Sequence, residues 1–249
     1  MKVIITGAAG QLGQALRRCV PAAIAGEPVE LIATSRSGGK GALPLDLADA
    51  AACRALVEQH KPDWLINAGA YTAVDKAESE PELARAVNAG APAAFAEALQ
   101  ATGGHLLQVS TDFVFNGAQG SPYRPDQPVD PLGVYGATKA AGETAAAAAL
   151  TAPQLCILRT SWVYGPVGKN FLLTMLRLMR AREQLAVVAD QVGCPTATQG
   201  LAQACWAVLE HGVSGLHHWC DAGAASWYDF AVAIAELGQA AGLLENPAR

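Results

Sequence analysis

Lys2-Val3-Ile4-Ile5-Thr6-Gly7-Ala8-Ala9-Gly10-Gln11-Leu12-Gly13 is the stretch that decides the fold. Residues 2–6 make the short apolar run of a strand buried on both faces. Glycines at 7, 10 and 13 break it, and residues 11–19 can then wind into a helix. Strand, glycine turn and helix in immediate succession suit a phosphate. A backbone without Cβ atoms permits close approach, and a helix N-terminus offers amides and the positive end of its dipole. Taken alone, the turn fits a structural role as well as a binding one.

Outward from this stretch the chain alternates in the same manner. Strands are expected at 29–34, at 62–70 where an apolar run ends in small residues, and at 105–110, 154–160 and 185–189. Helices are expected up to residue 60 behind an Asp49 N-cap, over 82–100, from Tyr135 through an Ala-rich segment, and along the apolar stripe that begins at Phe171. A final helix over 231–241 follows the capping-box pattern Ser226-Trp227-Tyr228-Asp229. The pattern predicts an α/β fold, a Rossmann-type doubly wound parallel sheet with a smaller C-terminal region. The dinucleotide-binding domain is expected over 1–160, and the smaller region over 161–249, with segments that return to the sheet.

Of the 249 residues, 51% are hydrophobic and 16% charged, which predicts a folded chain and excludes extensive disorder. No apolar run reaches membrane-spanning length and the N-terminus shows no cleavable signal pattern, so the cytoplasm is the expected address. Six dispersed cysteines without metal-ligand spacing read as reduced thiols. A net charge of −5 argues against nucleic acid as a partner, and it requires that an anionic ligand be held by local features.

Chemistry concentrates in Tyr135-Gly136-Ala137-Thr138-Lys139, which sets a phenol and an ammonium four positions apart on one helix face. The ammonium is expected to favour phenolate and to lower the tyrosine pKa from its reference of about 10. Ser110-Thr111-Asp112 adds a hydroxyl at the carboxyl end of a strand, where open α/β sheets bind ligands. After the second strand, Ser35-Arg36-Ser37 stands where an NAD-selective site would place an acid. A hydroxyl and a guanidinium suit a 2′-phosphate and favour NADPH; the alternative for Arg36 is a solvated loop charge. Asn88 can hydrogen-bond locally or fix the active-site backbone. The segment between Asn116 and Val134 carries Pro122, Pro125, Pro128 and Pro131 and reads as a substrate cover. His217 and His218 are neighbours on a strand, so they point to opposite faces and read as packing residues, not a chelate.

Together these segments resemble the extended short-chain dehydrogenase/reductase family, in its dTDP-4-dehydrorhamnose reductase branch, from Met1 to about Leu244. The glycine motif and Tyr135-x-x-x-Lys139 carry the superfamily. Much narrower are Tyr71-Thr72-Ala73-Val74-Asp75-Lys76-Ala77-Glu78 and Ser161-Trp162-Val163-Tyr164; Ser110-Thr111-Asp112-Phe113-Val114-Phe115, Asn170-Phe171 and Asp190-Gln191-x-Gly193-x-Pro195-Thr196 complete the resemblance. The resemblance implies NADPH-dependent reduction of the C4 ketone of dTDP-4-dehydro-β-L-rhamnose to dTDP-L-rhamnose. It makes Tyr135 the proton donor, has Lys139 orient it and hold the nicotinamide ribose, and has Thr111 stabilise the developing alkoxide. Asp112, Val74, Trp162 and Asn170 would line the sugar site with Thr111. Gly7, Gly10, Gln11, Leu12, Gly13, Ser35, Arg36, Asp46, Leu47, Ala70, Tyr71 and Thr72 would contact NADPH, with NADH as the alternative cofactor. The resemblance also allows a homodimer, with Mg2+ at a subunit contact.

Members of this branch continue past the final helix with an Arg-Pro-x-x-Ser-like segment, whereas this sequence stops at Asn246-Pro247-Ala248-Arg249, so that closing piece is expected to be lacking. Two other functions fit the same scaffold: an NAD-retaining nucleotide-sugar epimerase or dehydratase, and a non-catalytic regulatory binding subunit. Against the dehydratase, Thr111-Asp112 is not followed by Glu.

Overall fold

The structure, a computed structural model, describes residues 1–245. Seven strands pair in parallel: β1 (Lys2–Ile5), β2 (Glu30–Ser35), β3 (Ala42–Pro44), β4 (Trp64–Asn67), β5 (His105–Thr111), β6 (Leu155–Thr160) and β7 (Gly215–His218). Their order across the sheet is β7-β6-β5-β4-β1-β2-β3. Winding reverses between β1 and β4, and the crevice beyond the carboxyl ends of strands at such a switch point is where doubly wound sheets bind ligands. The glycine turn after β1 and the Ala68-Gly69-Ala70 segment after β4 both lie there.

Seven helices of eight residues or more accompany the strands among the described residues: α1 (Gln11–Arg18), α2 (Ala50–His60), α3 (Ala91–Thr102), α4 (Val134–Ala149), α5 (Phe171–Ala181), α6 (Thr198–Glu210) and α7 (Trp227–Ala240). On one face of the sheet, Ile4, Leu65, Leu106 and Ile157 pack against Leu56 and Val57 of α2, Phe95 and Leu99 of α3, and Ala146 of α4. This continuous apolar burial is the driving force for the layer. Trp206 of α6 donates from its indole to the Leu16 carbonyl of α1 at 3.1 Å, so its buried N–H is satisfied.

Asp49 caps α2 as expected, its carboxylate accepting from the Ala52 amide at 3.0 Å. The helix expected over 82–100 is realised as Pro81–Arg85, a π-helical turn Ala86–Gly90 and α3 in direct succession. The wide turn carries Asn88, a feature that hydrophobic periodicity does not register.

Two expectations need correction, and one strand was not foreseen. Residues 185–189 form no strand: Leu185 and Val187 turn into an apolar cluster, and the Val188 carbonyl takes the Tyr228 amide at 2.9 Å. The strand on which His217 and His218 were read joins the sheet, pairing with β6 from Gly215↔Cys156 to His218↔Arg159. The last helix begins at Trp227, earlier than 231, because the Ser226–Asp229 capping box closes in both directions. The short edge strand Ala42–Pro44 was not anticipated, three residues ending in proline being too little pattern to read. The expected lack of a closing C-terminal piece concerns residues 246–249 and beyond, outside the described residues.

The chain divides into two compact units, one of residues 1–160 and 202–219, the other of 161–201 and 220–249. The first holds the sheet. In the second, α5 and α7 bury Met175, Met179, Phe230, Ile234 and Leu244 in one cluster. No helix among the described residues is long and apolar enough to cross a membrane.

Candidate active site

The glycine turn has the shape of a phosphate cradle. Gly7 adopts φ +64°, and a Cβ there would lie 2.6 Å from the Gly69 Cα, so the two loops at the switch point touch backbone to backbone. The Gly69 amide donates to Thr6 Oγ1 at 3.0 Å, which ties them together. Helix α1 starts at an N-cap glycine with no side-chain cap and no acid in its first turn, so its positive end is left for an anion. These residues fit a dinucleotide pyrophosphate. Around it, Leu47 packs so closely on Gly69 that a Cβ would sit 2.5 Å from its Cδ1. Asp46 is exposed, its carboxylate accepting from the Ala48 amide at 3.0 Å. Arg36 is exposed, whereas Ser35 is buried and its hydroxyl donates to the Gly38 carbonyl at 3.3 Å.

On β5 and α4 the three residues singled out for chemistry converge. The Thr111 hydroxyl faces the Tyr135 phenol. Thr111 Oγ1 donates to Asp112 Oδ1 at 3.0 Å and accepts from the Phe113 amide at 3.2 Å. Lys139, one turn along α4 from Tyr135, is buried and donates from Nζ to the Val109 carbonyl at 2.7 Å. Phe113 lies edge-on to the Tyr135 ring at 5.5 Å.

The expected fall in the tyrosine pKa does not occur. Burial of the phenol pushes it up to about 12; the Thr111 hydrogen bond opposes this and the nearby Asp112 charge adds to it. Burial likewise lowers Lys139 to about 8, against the Glu143 charge, and raises Asp112 to about 6, against the Thr111 hydrogen bond. Desolvation outweighs the charge–charge effect on which the sequence argument relied. The consequence is a phenol that still carries its proton at neutral pH.

Asn88 takes the positioning role offered to it. Its carboxamide accepts from the Tyr71 amide at 2.9 Å and donates to the Tyr71 carbonyl at 3.1 Å and to Thr138 at 3.2 Å. It thereby fixes the backbone after β4 against the helix that carries Tyr135. The Tyr71 hydroxyl is turned to Glu80 at 2.7 Å, while Ala70 is half-buried, Thr72 exposed and Val74 36% exposed.

Trp162 and Asn170 belong to the second unit. Trp162 has φ +46°, unusual for a bulky side chain, and stacks on Trp227 with centroids 3.5 Å apart and planes 5° apart. A Cβ at Gly193 would fall 2.5 Å from the indole, so the glycine of the 190–196 loop is what lets the ring lie there. Asn170 caps α5, accepting from the Leu173 amide at 2.9 Å and donating to the Gly165 carbonyl at 2.9 Å.

Two buried polar groups escaped the sequence argument. Thr6, Asn67 and Gln108 form a chain across β1, β4 and β5, with Thr6→Asn67 at 2.6 Å, Asn67→Gln108 at 2.8 Å and Gln108 donating to the Val109 carbonyl at 2.9 Å. That carbonyl also holds Lys139. The second group is the ion pair Arg159–Glu143, at 2.6 Å with side chains 5% and 8% exposed. The ion pair had a signal: Arg159 is a charge inside an apolar strand, and Glu143 continues the four-residue spacing of Tyr135 and Lys139.

A dinucleotide-cradling switch point with a Thr–Tyr–Lys centre on the neighbouring strand and helix defines a short-chain-dehydrogenase type of oxidoreductase site. The chain matches the model of the RmlD substrate binding domain over residues 1–248, and it belongs to that family. It is 40% identical over 237 residues to the spore coat polysaccharide biosynthesis protein SpsK of Bacillus subtilis, covering 94% of this chain and 78% of that one. It is also 40% identical to the dTDP-4-dehydrorhamnose reductase of Burkholderia thailandensis over 243 residues, 94% of this chain and 77% of the relative. Among solved structures, the dTDP-4-dehydrorhamnose reductase of Bacillus anthracis in complex with NADP superposes with a TM-score of 0.87 at 34% identity, covering 96% of this chain and 80% of that one.

Proposed function

We propose that this protein reduces the C4 ketone of dTDP-4-dehydro-β-L-rhamnose to dTDP-L-rhamnose, acting in the cytoplasm with NADPH as its cofactor. The observation that carries the reading is the Tyr135 phenol facing the Thr111 hydroxyl with Lys139 buried one helical turn away, next to a glycine cradle that fits a dinucleotide. NADPH, when bound, supplies the hydride. Tyr135 then gives its phenolic proton to the alkoxide oxygen, and Thr111 turns its hydroxyl proton from Asp112 to the same oxygen as charge develops. A neutral phenol suits this direction, because reduction consumes a proton. Lys139 holds the cofactor ribose and orients Tyr135. Gly7, Gly10, Gln11, Leu12 and Gly13 take the pyrophosphate, Leu47, Asp46, Ala70, Tyr71 and Thr72 border the cofactor, and Arg36 serves the 2′-phosphate. Ser35, whose proton is committed to Gly38, can only accept there. Val74, Asp112, Trp162 and Asn170 contribute to the sugar site.

The test is an NADPH-oxidation assay across dTDP- and UDP-linked 4-ketosugars. Oxidation with dTDP-4-dehydro-β-L-rhamnose is expected. Oxidation with none of them, or bound NAD that survives purification, would overturn the reading.

A further inference from the structure

Helix α4 is joined to β5 at three successive positions of one face. Tyr135 meets the Thr111 hydroxyl, Lys139 meets the Val109 carbonyl at 2.7 Å, and Glu143 takes the Ser110 hydroxyl at 2.5 Å. Residues 135, 139 and 143 lie one turn apart, and their partners are the three consecutive residues that end the strand. The third rung is the costly one, since it buries a carboxylate. Arg159, across the sheet register from Ser110, answers it with a two-pronged contact: Nε to Oε1 at 3.0 Å and Nη2 to Oε2 at 2.6 Å. The remaining face of the guanidinium is also used. Nη1 donates to the Pro125 carbonyl at 3.2 Å and approaches His218 Nε2 at 3.5 Å, and the group lies over the Phe115 ring at 5.1 Å. A pair so completely satisfied is held in one geometry.

We propose that Glu143 is a positioning residue for the reduction: anchored by Arg159 and Ser110, its carboxylate fixes the Lys139 ammonium electrostatically and locks α4 to the strand that carries Thr111. This rests on the role given to Lys139 under Proposed function. The other charged or titratable groups on elements packed around this face are Tyr135, His105, Asp112, Cys156, Arg159 and His218, with Glu78 accepting from the Val134 amide at 2.8 Å and Glu97 paired with Arg54 at 2.7 Å. Asp75, Lys76, Glu82 and Arg85, on the short helical turns beside α4, are exposed. Of these and Glu143, only Glu143 supports the ammonium against its burial.

The measurement is a 13Cε NMR titration of lysine-labelled protein without substrate, feasible because the chain has six lysines, with Lys139 assigned by the resonance lost in Lys139→Arg. Glu143→Gln should move the Lys139 midpoint down by on the order of one pH unit. Because that variant leaves Arg159 without its counter-ion, E143Q/R159M, which removes both charges, is titrated beside it and should move the same way. An unchanged midpoint in the folded double variant would overturn the proposal, leaving Glu143 a structural residue. An inactive wild-type protein would overturn the reductase reading and leave the titration standing, so the two failures are told apart.

Discussion

Beyond their apolar cores, the two units differ in the contacts that fix their candidate site residues. Around β5 and α4 the decisive contacts are polar and buried: Thr6–Asn67–Gln108, Asn88 on Tyr71, and Glu143 between Ser110 and Arg159. In the second unit they are aromatic, with Trp162 on Trp227 and Phe171 5.4 Å from Phe230. Buried hydrogen bonds are directional and fail when one partner is lost, whereas stacked rings tolerate small shifts. Under the proposed function the polar unit would hold the proton donor at a fixed atom, and the aromatic one would supply Trp162 and Asn170 to the sugar.

Breaking the polar side should have the largest effect. Arg159→Met leaves the Glu143 carboxylate buried and unpaired, and should cost about 3–5 kcal/mol in urea unfolding, with a fall in kcat among molecules that still fold. A loss below 1 kcal/mol would show that the network is not the brittle element. On the aromatic side, Trp227→Ala removes a half-buried ring and should cost roughly 2–3 kcal/mol, less than full burial would give, with KM for the sugar nucleotide rising more than kcat falls. If kcat falls instead, the division of labour between the units is wrong.

A pH effect belongs to the polar unit alone. Burial depresses the Lys139 pKa to about 8, so the ammonium is present below that pH and lost above it. NADPH affinity should therefore weaken by about 1.4 kcal/mol per pH unit once pH exceeds 8, as calorimetry would register. Affinity independent of pH up to 9.5 would remove Lys139 from the cofactor site. The smallest expected effect is Ser226→Ala, which opens the capping box of α7 and should cost about 1 kcal/mol in thermal unfolding, without altering kcat.

The sequence made the same division visible. The strand–glycine–helix opening, the Asp49 cap and the Ser226–Asp229 box were legible because each is local, a few residues whose own chemistry dictates their geometry. Residues 185–189 have the residues of a strand, yet Leu185 and Val187 are drawn into an apolar cluster instead, and only tertiary packing could reveal that. At the site, the spacing of Tyr135 and Lys139 foretold a shared face but gave the wrong sign for the phenol, because burial is a property of the whole fold. Ser110, Glu143 and Arg159 are far apart in sequence, and their meeting depends on the register of β5 with β6.

The central claim, that Tyr135 completes a hydride reduction at the sugar C4, is tested most directly by following the hydrogen itself. With NADPH carrying deuterium at the transferable position of its nicotinamide ring and dTDP-4-dehydro-β-L-rhamnose as substrate, the wild-type product should carry deuterium at C4. Tyr135→Phe should form that product roughly 10²–10⁴-fold more slowly while binding NADPH with near-normal affinity. Product without the label, or labelled product formed by Tyr135→Phe at the wild-type rate, would contradict the account.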